Sequence, residues 1–131
     1  TLPRRASFKK AIEIVINSRQ DVFPVIDRIN GDKLTGIFSI QDIKEYIAEN
    51  KLGEEALVDD LSQRNFVSLY IGEGLHSVIN KFTANDAYAF PVVDEKTQAL
   101  QGMFSRNALI KYYNVKLMEL LSKKVKNKGE N

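Results

Sequence analysis

Hydrophobic and polar residues follow two different periods along the first half of the chain. Residues 8–16 place apolar side chains at the spacing of an amphipathic helix, and residues 39–50 do the same. Between them, residues 22–26 and 33–38 are short apolar runs separated by an Asn-Gly turn signal, which is typical of a β-hairpin. The first half therefore predicts the order helix, strand, strand, helix.

The second half repeats this order behind one additional strand. Residues 66–71 predict that strand, and residues 75–82 predict an amphipathic helix. Residues 88–93 and 100–104 predict a second hairpin, and a last helix is expected from residue 105 to beyond residue 121. The first half shows only the end of a corresponding opening strand, so we expect that strand to be truncated.

An internal duplication explains the two matching halves. Phe23–Asp27 reads Phe-Pro-Val-Ile-Asp, and Phe90–Asp94, 67 residues later, reads Phe-Pro-Val-Val-Asp. Gly36–Ser39 reads Gly-Ile-Phe-Ser, and Gly102–Ser105, 66 residues later, reads Gly-Met-Phe-Ser. Matches that are clustered and occur in the same order are typical of a duplicated unit.

The duplication divides the chain into four parts. We assign residues 1–50 to repeat 1, residues 51–64 to a linker, residues 65–114 to repeat 2 and residues 115–131 to a helical extension with a basic tail. Within the linker, residues 52–62 predict a short acidic helix.

The predicted fold class is α/β, of the α+β kind, with two strand-helix-strand-strand-helix units packed as a pseudo-twofold pair. A unit of about 60 residues buries too little surface to be stable on its own. We therefore expect the two sheets to pack around one shared core. This packing would leave a cleft between the repeats, near the helix N-termini at Ser39 and Ser105.

Composition removes several classes of function. The 131 residues include no cysteine and one histidine, His76, which excludes disulfides, thiolate metal sites and multi-histidine metal sites. The net charge of +2 is not that of a polycation that binds nucleic acid. No apolar run reaches the roughly 18 residues of a membrane span. Because no set of side chains matches a catalytic constellation, we expect a protein that is not an enzyme.

Each repeat resembles a CBS domain, and the pair resembles a Bateman module. The residues that carry the resemblance are Phe23–Asp27 followed by Gly36–Asp42, and Phe90–Asp94 followed by Gly102–Ala108. The family pattern is an apolar-Pro-Val strand, then Gly, two apolar residues, Ser or Thr, two variable residues and Asp. The resemblance covers about residues 1–113 and implies a non-catalytic regulatory module.

A narrower resemblance concerns the parent protein. Residues 58–61, 66–69 and 112–114 are similar to the cytoplasmic C-terminal CBS pair of prokaryotic CLC-type chloride channels and transporters. This resemblance implies a location at the cytoplasmic face of the membrane, with the membrane-embedded transport domain as a partner. Since the sequence starts at Thr1 without a methionine, we expect a fragment or processed product of such a parent. A CBS sensor of another transporter or of an enzyme stays an alternative.

The CBS resemblance implies that the cleft binds an adenine nucleotide, with ATP, ADP and AMP as candidates and no required cofactor. Asp42 would accept hydrogen bonds from both ribose hydroxyls, and the Ser39 hydroxyl at the helix N-terminus would favour phosphate. The opposite repeat would complete this site with Ser68, Ala87, Tyr88 and Ala89. The Tyr88 ring could stack on a base. Ser39 and Asp42 also have the spacing of a capping box, and that purely structural interpretation stays open.

The corresponding site of repeat 2 departs from the family pattern. Ala108 stands where the aspartate is expected, so the ribose acceptor is missing. Gln20, Asp21 and Val22 would complete this second site, and Asp21 would repel phosphate. We therefore expect at most one nucleotide site per chain.

CBS pairs commonly associate side by side, so the resemblance also implies a homodimer. The helix faces that carry Tyr46 or Tyr112 are the candidate surfaces. A structural dimerisation module without any ligand is the alternative function.

Overall fold

The computed structural model describes residues 1–49 and 56–129, with side chains described up to residue 123. It contains six strands and five helices in the order that the duplication predicts. They are β1 (Leu2–Pro3), α1 (Phe8–Ile16), β2 (Val22–Asp27), β3 (Lys33–Ser39), α2 (Ile40–Ala48), α3 (Val58–Leu61), β4 (Leu69–Tyr70), α4 (Leu75–Ala84), β5 (Ala89–Val93), β6 (Leu100–Ser105) and α5 (Arg106–Gly129).

Local chemistry fixes where the helices of repeat 1 begin. The Ser7 hydroxyl accepts a hydrogen bond from the Lys10 N–H and caps α1. Ser39 caps α2 in the same way, and the Asp42 carboxylate returns a bond to the Ser39 N–H. The capping box predicted from the spacing of Ser39 and Asp42 is therefore confirmed.

Two strands and one helix differ from their predicted lengths. The strand expected over residues 66–71 is only Leu69–Tyr70, because its parallel pairing reaches no further than Val92 and Val93 of β5. We expected the opening strand of repeat 1 to be shorter than that of repeat 2. The two strands, β1 and β4, are both two residues long. The linker helix α3 covers only Val58–Leu61 of the predicted residues 52–62, since residues 56 and 57 are not helical and residues 52–55 lie outside the described residues.

Each repeat forms a three-stranded sheet, in which the first strand of the hairpin is central and the second lies at one edge. β1 pairs in parallel with β2, and β2 pairs antiparallel with β3. β4, β5 and β6 repeat this arrangement. The register shifts between Val25 and Ile26 in β2 and at the matching position between Val92 and Val93 in β5. The duplication thus extends to a conserved irregularity of the backbone.

The two sheets meet at their hairpin turns, across a pseudo-twofold axis. Lys33 faces Ala99 in an antiparallel bridge between these matching positions of the two repeats. The Leu34 N–H donates to the Gln98 carbonyl, and the Leu100 N–H donates to the Asp32 carbonyl, both at 3.0 Å. Each bond is the twofold image of the other. The predicted pseudo-twofold pair is confirmed at this contact.

The repeats keep separate cores, so the expectation of one shared core is wrong. The buried cluster of repeat 1 consists of Leu2, Ala11, Val15, Phe23, Val25, Phe38 and Val58. The cluster of repeat 2 consists of Leu69, Val78, Phe82, Phe90 and Leu109. The sheets meet through the backbone of their turns, and each packs its apolar face against its own helices.

The linker completes the core of repeat 1. The Val58 side chain is fully buried in that core. Backbone hydrogen bonds join the linker to the segment between β1 and α1: the Val58 N–H donates to the Ala6 carbonyl, and the Phe8 N–H donates to the Ala56 carbonyl. In repeat 2, no described segment covers the matching apolar cavity of about 350 Å³, which is lined by residues such as Leu69, Leu75, Phe104, Leu109 and Tyr112.

The linker also passes very close to β3. An added Cβ on Gly36 would lie 2.8 Å from the Ser62 Oγ and 3.0 Å from the Gln63 carbonyl oxygen. At the matching glycine of repeat 2, Gly102, an added Cβ would meet nothing within 4 Å. Glycine is therefore required sterically in one repeat only.

We expect Gly36→Ala to lower the free energy of unfolding by about 1–3 kcal/mol, the usual range for forcing an extra methyl group into a packed contact. Gly102→Ala is the matched control and should change it by less than about 0.5 kcal/mol. Urea denaturation of the two variants and the wild type measures both effects. Equal effects in the two repeats would show that the linker does not lie against β3.

Two matching aspartates organise the turns that follow β2 and β5. Asp27 accepts hydrogen bonds from the Asn30 side chain and the Ile29 N–H, and the Arg4 guanidinium lies 3.3 Å from it. These contacts, with the Asn30 bond foremost, lower the pKa of Asp27 below its usual value. The N–H groups of Thr97 and Lys96 lower the pKa of Asp94 in the same sense. The folded state thus favours the ionised form of both side chains.

Acidification is expected to destabilise the fold below about pH 4, near the usual aspartate pKa of about 3.9. Because the pKa of each aspartate is lower in the folded state, its stabilisation is fully present above the unfolded-state pKa and is lost as the pH falls through the folded-state pKa. Urea denaturation at neutral pH and at about pH 3 measures the loss. The double variant Asp27→Asn, Asp94→Asn should lose less stability over that interval, and a loss equal to that of the wild type would contradict the assignment.

Candidate functional site

A cavity of about 540 Å³ lies between the two repeats and takes its walls from both. Repeat 1 supplies Val22 and Ile37, and repeat 2 supplies the loop that leads into β5. The remaining wall belongs to the end of the linker. The lining residues are Val22, Ile37, Gln63, Asn65, Phe66, Val67, Asn85, Asp86, Ala87, Tyr88, Ala89, Phe90 and Pro91. We call this space cleft 1.

A second cavity of about 340 Å³, cleft 2, corresponds to cleft 1 by the pseudo-twofold relation. Its lining residues are Arg19, Gln20, Asp21, Val22, Tyr88, Ala89, Met103, Ser105 and Ala108. The prediction that Gln20, Asp21, Val22 and Ala108 belong to one site therefore agrees with their placement. Val22, Tyr88 and Ala89 line both clefts, so the two spaces share a wall.

The structure brings together part of the predicted nucleotide site. Ala87, Tyr88 and Ala89 line cleft 1, as the resemblance implies. Ser39, Asp42 and Ser68 are not among its lining residues. Hydrogen bonds hold the side chains of Ser39 and Asp42 together, and another holds the backbone of Ser68.

Asp42 lies behind the cleft wall, with only 6% of its surface exposed. Its Oδ2 accepts hydrogen bonds from the Ser39 N–H at 2.7 Å and from the Ser39 hydroxyl at 3.0 Å. Its Oδ1 accepts one from the Gln63 side-chain amide at 3.2 Å. Gln63 lines cleft 1, so the linker amide stands between the carboxylate and the cleft.

The backbone carbonyl of Ser68 faces α4. Its carbonyl oxygen accepts a hydrogen bond from the Lys81 Nζ at 2.8 Å, and Lys81 also pairs with Glu73 at 2.9 Å. The preceding residues, Phe66 and Val67, line the cleft in its place. The role predicted for Ser68 stays a prediction.

Tyr88 stands at the junction of the two clefts. Its side chain is 66% exposed, and its hydroxyl accepts a hydrogen bond from the Asn107 side-chain amide at 2.9 Å. An exposed ring held at one end can offer its face to an aromatic ligand. The ring is accessible from the cleft, and its stacking role stays a prediction.

Arg106 holds the loop that forms one wall of cleft 1. Its guanidinium donates to the carbonyl oxygens of Phe82, Asn85 and Ala87, at 3.1–3.4 Å. It thereby closes the C-terminal end of α4 and fixes the approach to Tyr88. The sequence analysis missed Arg106. The only available signal was that the matching position of repeat 1 is Ile40, so the arginine is a difference between otherwise similar repeats.

The charges around the clefts are few. Cleft 1 contains Asp86, and cleft 2 contains Arg19 and Asp21, so Arg19 is the one cation among the described residues that line either cleft. Within the described part of the chain, no three His, Asp or Glu side chains are grouped so that they could hold a metal ion. No helix in residues 1–49 or 56–129 is long and apolar enough to span a bilayer.

Comparison with known families agrees with this geometry. The sequence pattern of the CBS domain matches residues 1–49 and again residues 58–115. The chain belongs to the CBS domain family and carries two copies of the domain. CBS domains are typically regulatory rather than catalytic, so the chain is a CBS-domain regulatory module.

Solved structures share the fold over most of their length. OpuCA of Staphylococcus aureus superposes with a TM-score of 0.71 at 25% identity, over 88% of this chain and 92% of that chain. CBSX2 in complex with AMP gives 0.69 at 20% identity, over 86% and 85%. CbpB in complex with c-di-AMP gives 0.77 at 17% identity, over 93% and 81%.

A curated relative carries a similar region inside a larger protein. The homoserine O-acetyltransferase of Methanosphaera stadtmanae is 26% identical over 100 residues, which are 76% of this chain and 19% of that protein. The chain therefore spans about a fifth of the length of the curated relative that it matches.

Proposed function

We propose that this regulatory module binds an adenine nucleotide in cleft 1. The observation that carries the proposal is a cavity of about 540 Å³ with walls from both repeats, a tyrosine at its mouth and a buried carboxylate behind one wall. Support comes from two proteins of the same fold, CBSX2 in complex with AMP and CbpB in complex with c-di-AMP. AMP is the first ligand to test, with ADP, ATP and c-di-AMP beside it.

The chemistry of the walls suggests how the ligand is oriented. The Tyr88 ring and apolar side chains such as Ile37 and Pro91 suit the base. The Asp42 carboxylate suits the ribose hydroxyls, which donate hydrogen bonds to a charged acceptor. Arg19, on the far side of the wall that the clefts share, suits the phosphate.

Only one such site is proposed per chain. Ala108 lines cleft 2 at the position that matches Asp42, the carboxylate behind the wall of cleft 1, and both Asp21 and Arg19 line cleft 2. A nucleotide in cleft 2 would lack the ribose acceptor and would meet a carboxylate next to the one available cation. We therefore propose that cleft 2 contributes Arg19 to the ligand of cleft 1 and binds no nucleotide of its own.

A ligand between the repeats can act on their relative position. The walls of cleft 1 belong to both sheets, which are joined directly by the contact between Lys33 and Ala99. A ligand that prefers one arrangement of the repeats shifts the population towards that arrangement. This shift is the proposed regulatory output.

The parent protein is proposed on the sequence resemblance alone. We propose a CLC-type chloride channel or transporter, with this module at the cytoplasmic face of the membrane and the transport domain as its partner. The full-length sequence tests this proposal directly: the parent must carry a membrane-spanning transport region of that type N-terminal to the module. A soluble parent would overturn it.

Replacement of the carboxylate by an amide tests the nucleotide site. We expect Asp42→Asn to weaken AMP binding at least about tenfold, because a hydrogen bond to a charged acceptor contributes about 1.5–3 kcal/mol. Isothermal titration calorimetry of the purified chain measures the change, with wild-type binding expected near one AMP per chain.

Asp60→Asn is the matched control for that experiment. The exposed Asp60 carboxylate also accepts a backbone hydrogen bond three residues back, from the Leu57 N–H, but it does not line cleft 1. Equal AMP binding by the wild type and by Asp42→Asn would place the nucleotide elsewhere. An absence of binding by a folded wild type to all four nucleotides would favour the structural alternative.

We also propose that a second copy of the chain covers α5. Tyr46 cannot be part of the interface as predicted, because only 4% of it is exposed and its ring lies 4.5 Å from that of Phe8. Tyr112 lines the apolar cavity of repeat 2, but another face of α5 is open. Its side chains are 44–59% exposed at the heptad-like positions Ile110, Tyr113, Leu117 and Leu120. This spacing suits the pairing of two α5 helices.

A charge placed in the centre of that face should prevent dimerisation. We expect Leu117→Glu to be monomeric and the wild type to be dimeric in sedimentation velocity at micromolar concentration. Lys111→Glu, a charge change outside the heptad-like positions of the same helix, should leave the dimer intact. A wild type that sediments as a monomer would exclude this interface.

A further inference from the structure

The end of the linker is held against β3 as a short extra strand. The Ile37 N–H donates to the Gln63 carbonyl at 2.9 Å, and the Gln63 N–H donates to the Ile37 carbonyl at 2.8 Å. The absence of a side chain on Gly36 allows Ser62 and Gln63 to approach this closely. The backbone of Gln63 is therefore fixed beside the start of α2, where Asp42 lies.

The backbone of Gln63 is held by two hydrogen bonds to Ile37, whereas its side chain is accessible to solvent. It is exposed, whereas Asp42 is buried. Its Nε2 donates to the Asp42 Oδ1 at 3.2 Å, while both bonds to the Asp42 Oδ2 come from Ser39. Among the described residues, Gln63 thus supplies the one donor to this carboxylate from outside the capping box, and that donor can rotate into solvent without disturbing the capping box.

We propose that Gln63 is a latch over Asp42, which a ligand must displace in order to reach the carboxylate. The inference rests on the proposed nucleotide site and concerns the selectivity of that site. Asp42 is only 6% exposed, and the Gln63 side chain stands between it and cleft 1. A ribose hydroxyl in the cleft can therefore reach the Asp42 Oδ1 only after the Gln63 amide has moved aside. The latch therefore weakens the binding of ligands that use Asp42 and leaves unaffected those that occupy cleft 1 without hydroxyl groups.

The latch also connects the ligand to the linker. Gln63 belongs to the segment that joins the two repeats, and its side chain bond to Asp42 is broken when the ligand binds. No matching device exists in the described part of repeat 2. There, Ala108 replaces Asp42, and no segment lies within 4 Å of a Cβ added to Gly102. The latch acts on one side of the pseudo-twofold axis only.

Removal of the amide tests the latch. We expect Gln63→Ala to bind AMP about three- to tenfold more tightly than the wild type, because a competing hydrogen bond to a charged acceptor is lost. Gln63→Leu, which keeps the bulk of the side chain but has no donor, should show the same direction. The binding of 2′,3′-dideoxy-AMP, which has no ribose hydroxyls, should change less than about twofold. Isothermal titration calorimetry measures all of these affinities.

Two further variants complete the design. Gln41→Ala removes an exposed glutamine next to Asp42 that is not a hydrogen-bond partner of that carboxylate, and AMP affinity should stay at the wild-type value. In the double variant Asp42→Asn, Gln63→Ala, the gain from removing Gln63 should disappear. Thermal unfolding confirms that each variant is folded.

The outcomes separate the latch from the nucleotide site itself. If Asp42→Asn weakens AMP binding but Gln63→Ala does not strengthen it, the site stands and the latch is wrong. If Gln63→Ala strengthens the binding of AMP and of dideoxy-AMP equally, the effect does not pass through Asp42 and the latch is again wrong. If neither the wild type nor Gln63→Ala binds AMP, both proposals fail.

Discussion

The contact between the two hairpin turns is the constraint on which the rest of the structure depends. Lys33 and Ala99 face each other, and two hydrogen bonds of 3.0 Å link the flanking residues. Each turn contains a non-glycine residue at positive φ, a conformation that such residues rarely adopt: Asp32 at 57° and Gln98 at 61°. Because the repeats have separate cores, this contact aligns the sheets. The alignment leaves cleft 1 and cleft 2 on either side of the axis, each with walls from both repeats.

Departures from the twofold relation give the clefts their different chemistry. The linker seals the core of repeat 1 with Val58 and brings Gln63 to cleft 1, whereas no described segment does this for repeat 2. The same side of the molecule carries the carboxylate, because Asp42 has become Ala108 in the second copy. A duplicated unit begins with two equivalent sites. Here the linker and the acid both lie on the side of cleft 1, so a single ligand can act on the contact between the repeats.

Features fixed by neighbours in sequence could be predicted, and features fixed by packing could not. The capping box of Ser39 and Asp42 and both hairpins follow from residues within a few positions of each other. The duplication also made it possible to predict that the two repeats pair and that Ala87, Tyr88 and Ala89 lie at the cleft between them. The roles of Gln63 and Arg106 depend on contacts 19–24 residues away in sequence, between segments with no periodic pattern. The burial of Tyr46 against Phe8 also depends on packing and could not be predicted from the sequence. Its counterpart in repeat 2, Tyr112, is 47% exposed, so the duplication does not predict it either.

The capping box and the proposed ribose site are compatible functions of the same carboxylate. The Asp42 Oδ2 is used within α2, and losing those bonds would expose the start of that helix. The Oδ1 is bonded to an exposed amide, whose exchange for water requires little disturbance. A ligand that takes only Oδ1 leaves the helix cap intact. In the absence of ligand, only a fraction of the molecules have the Gln63 amide displaced from Asp42. The apparent Kd is then the intrinsic Kd divided by that fraction. A module of this design responds at higher ligand concentrations than a bare carboxylate would, and one linker residue is sufficient to set that concentration.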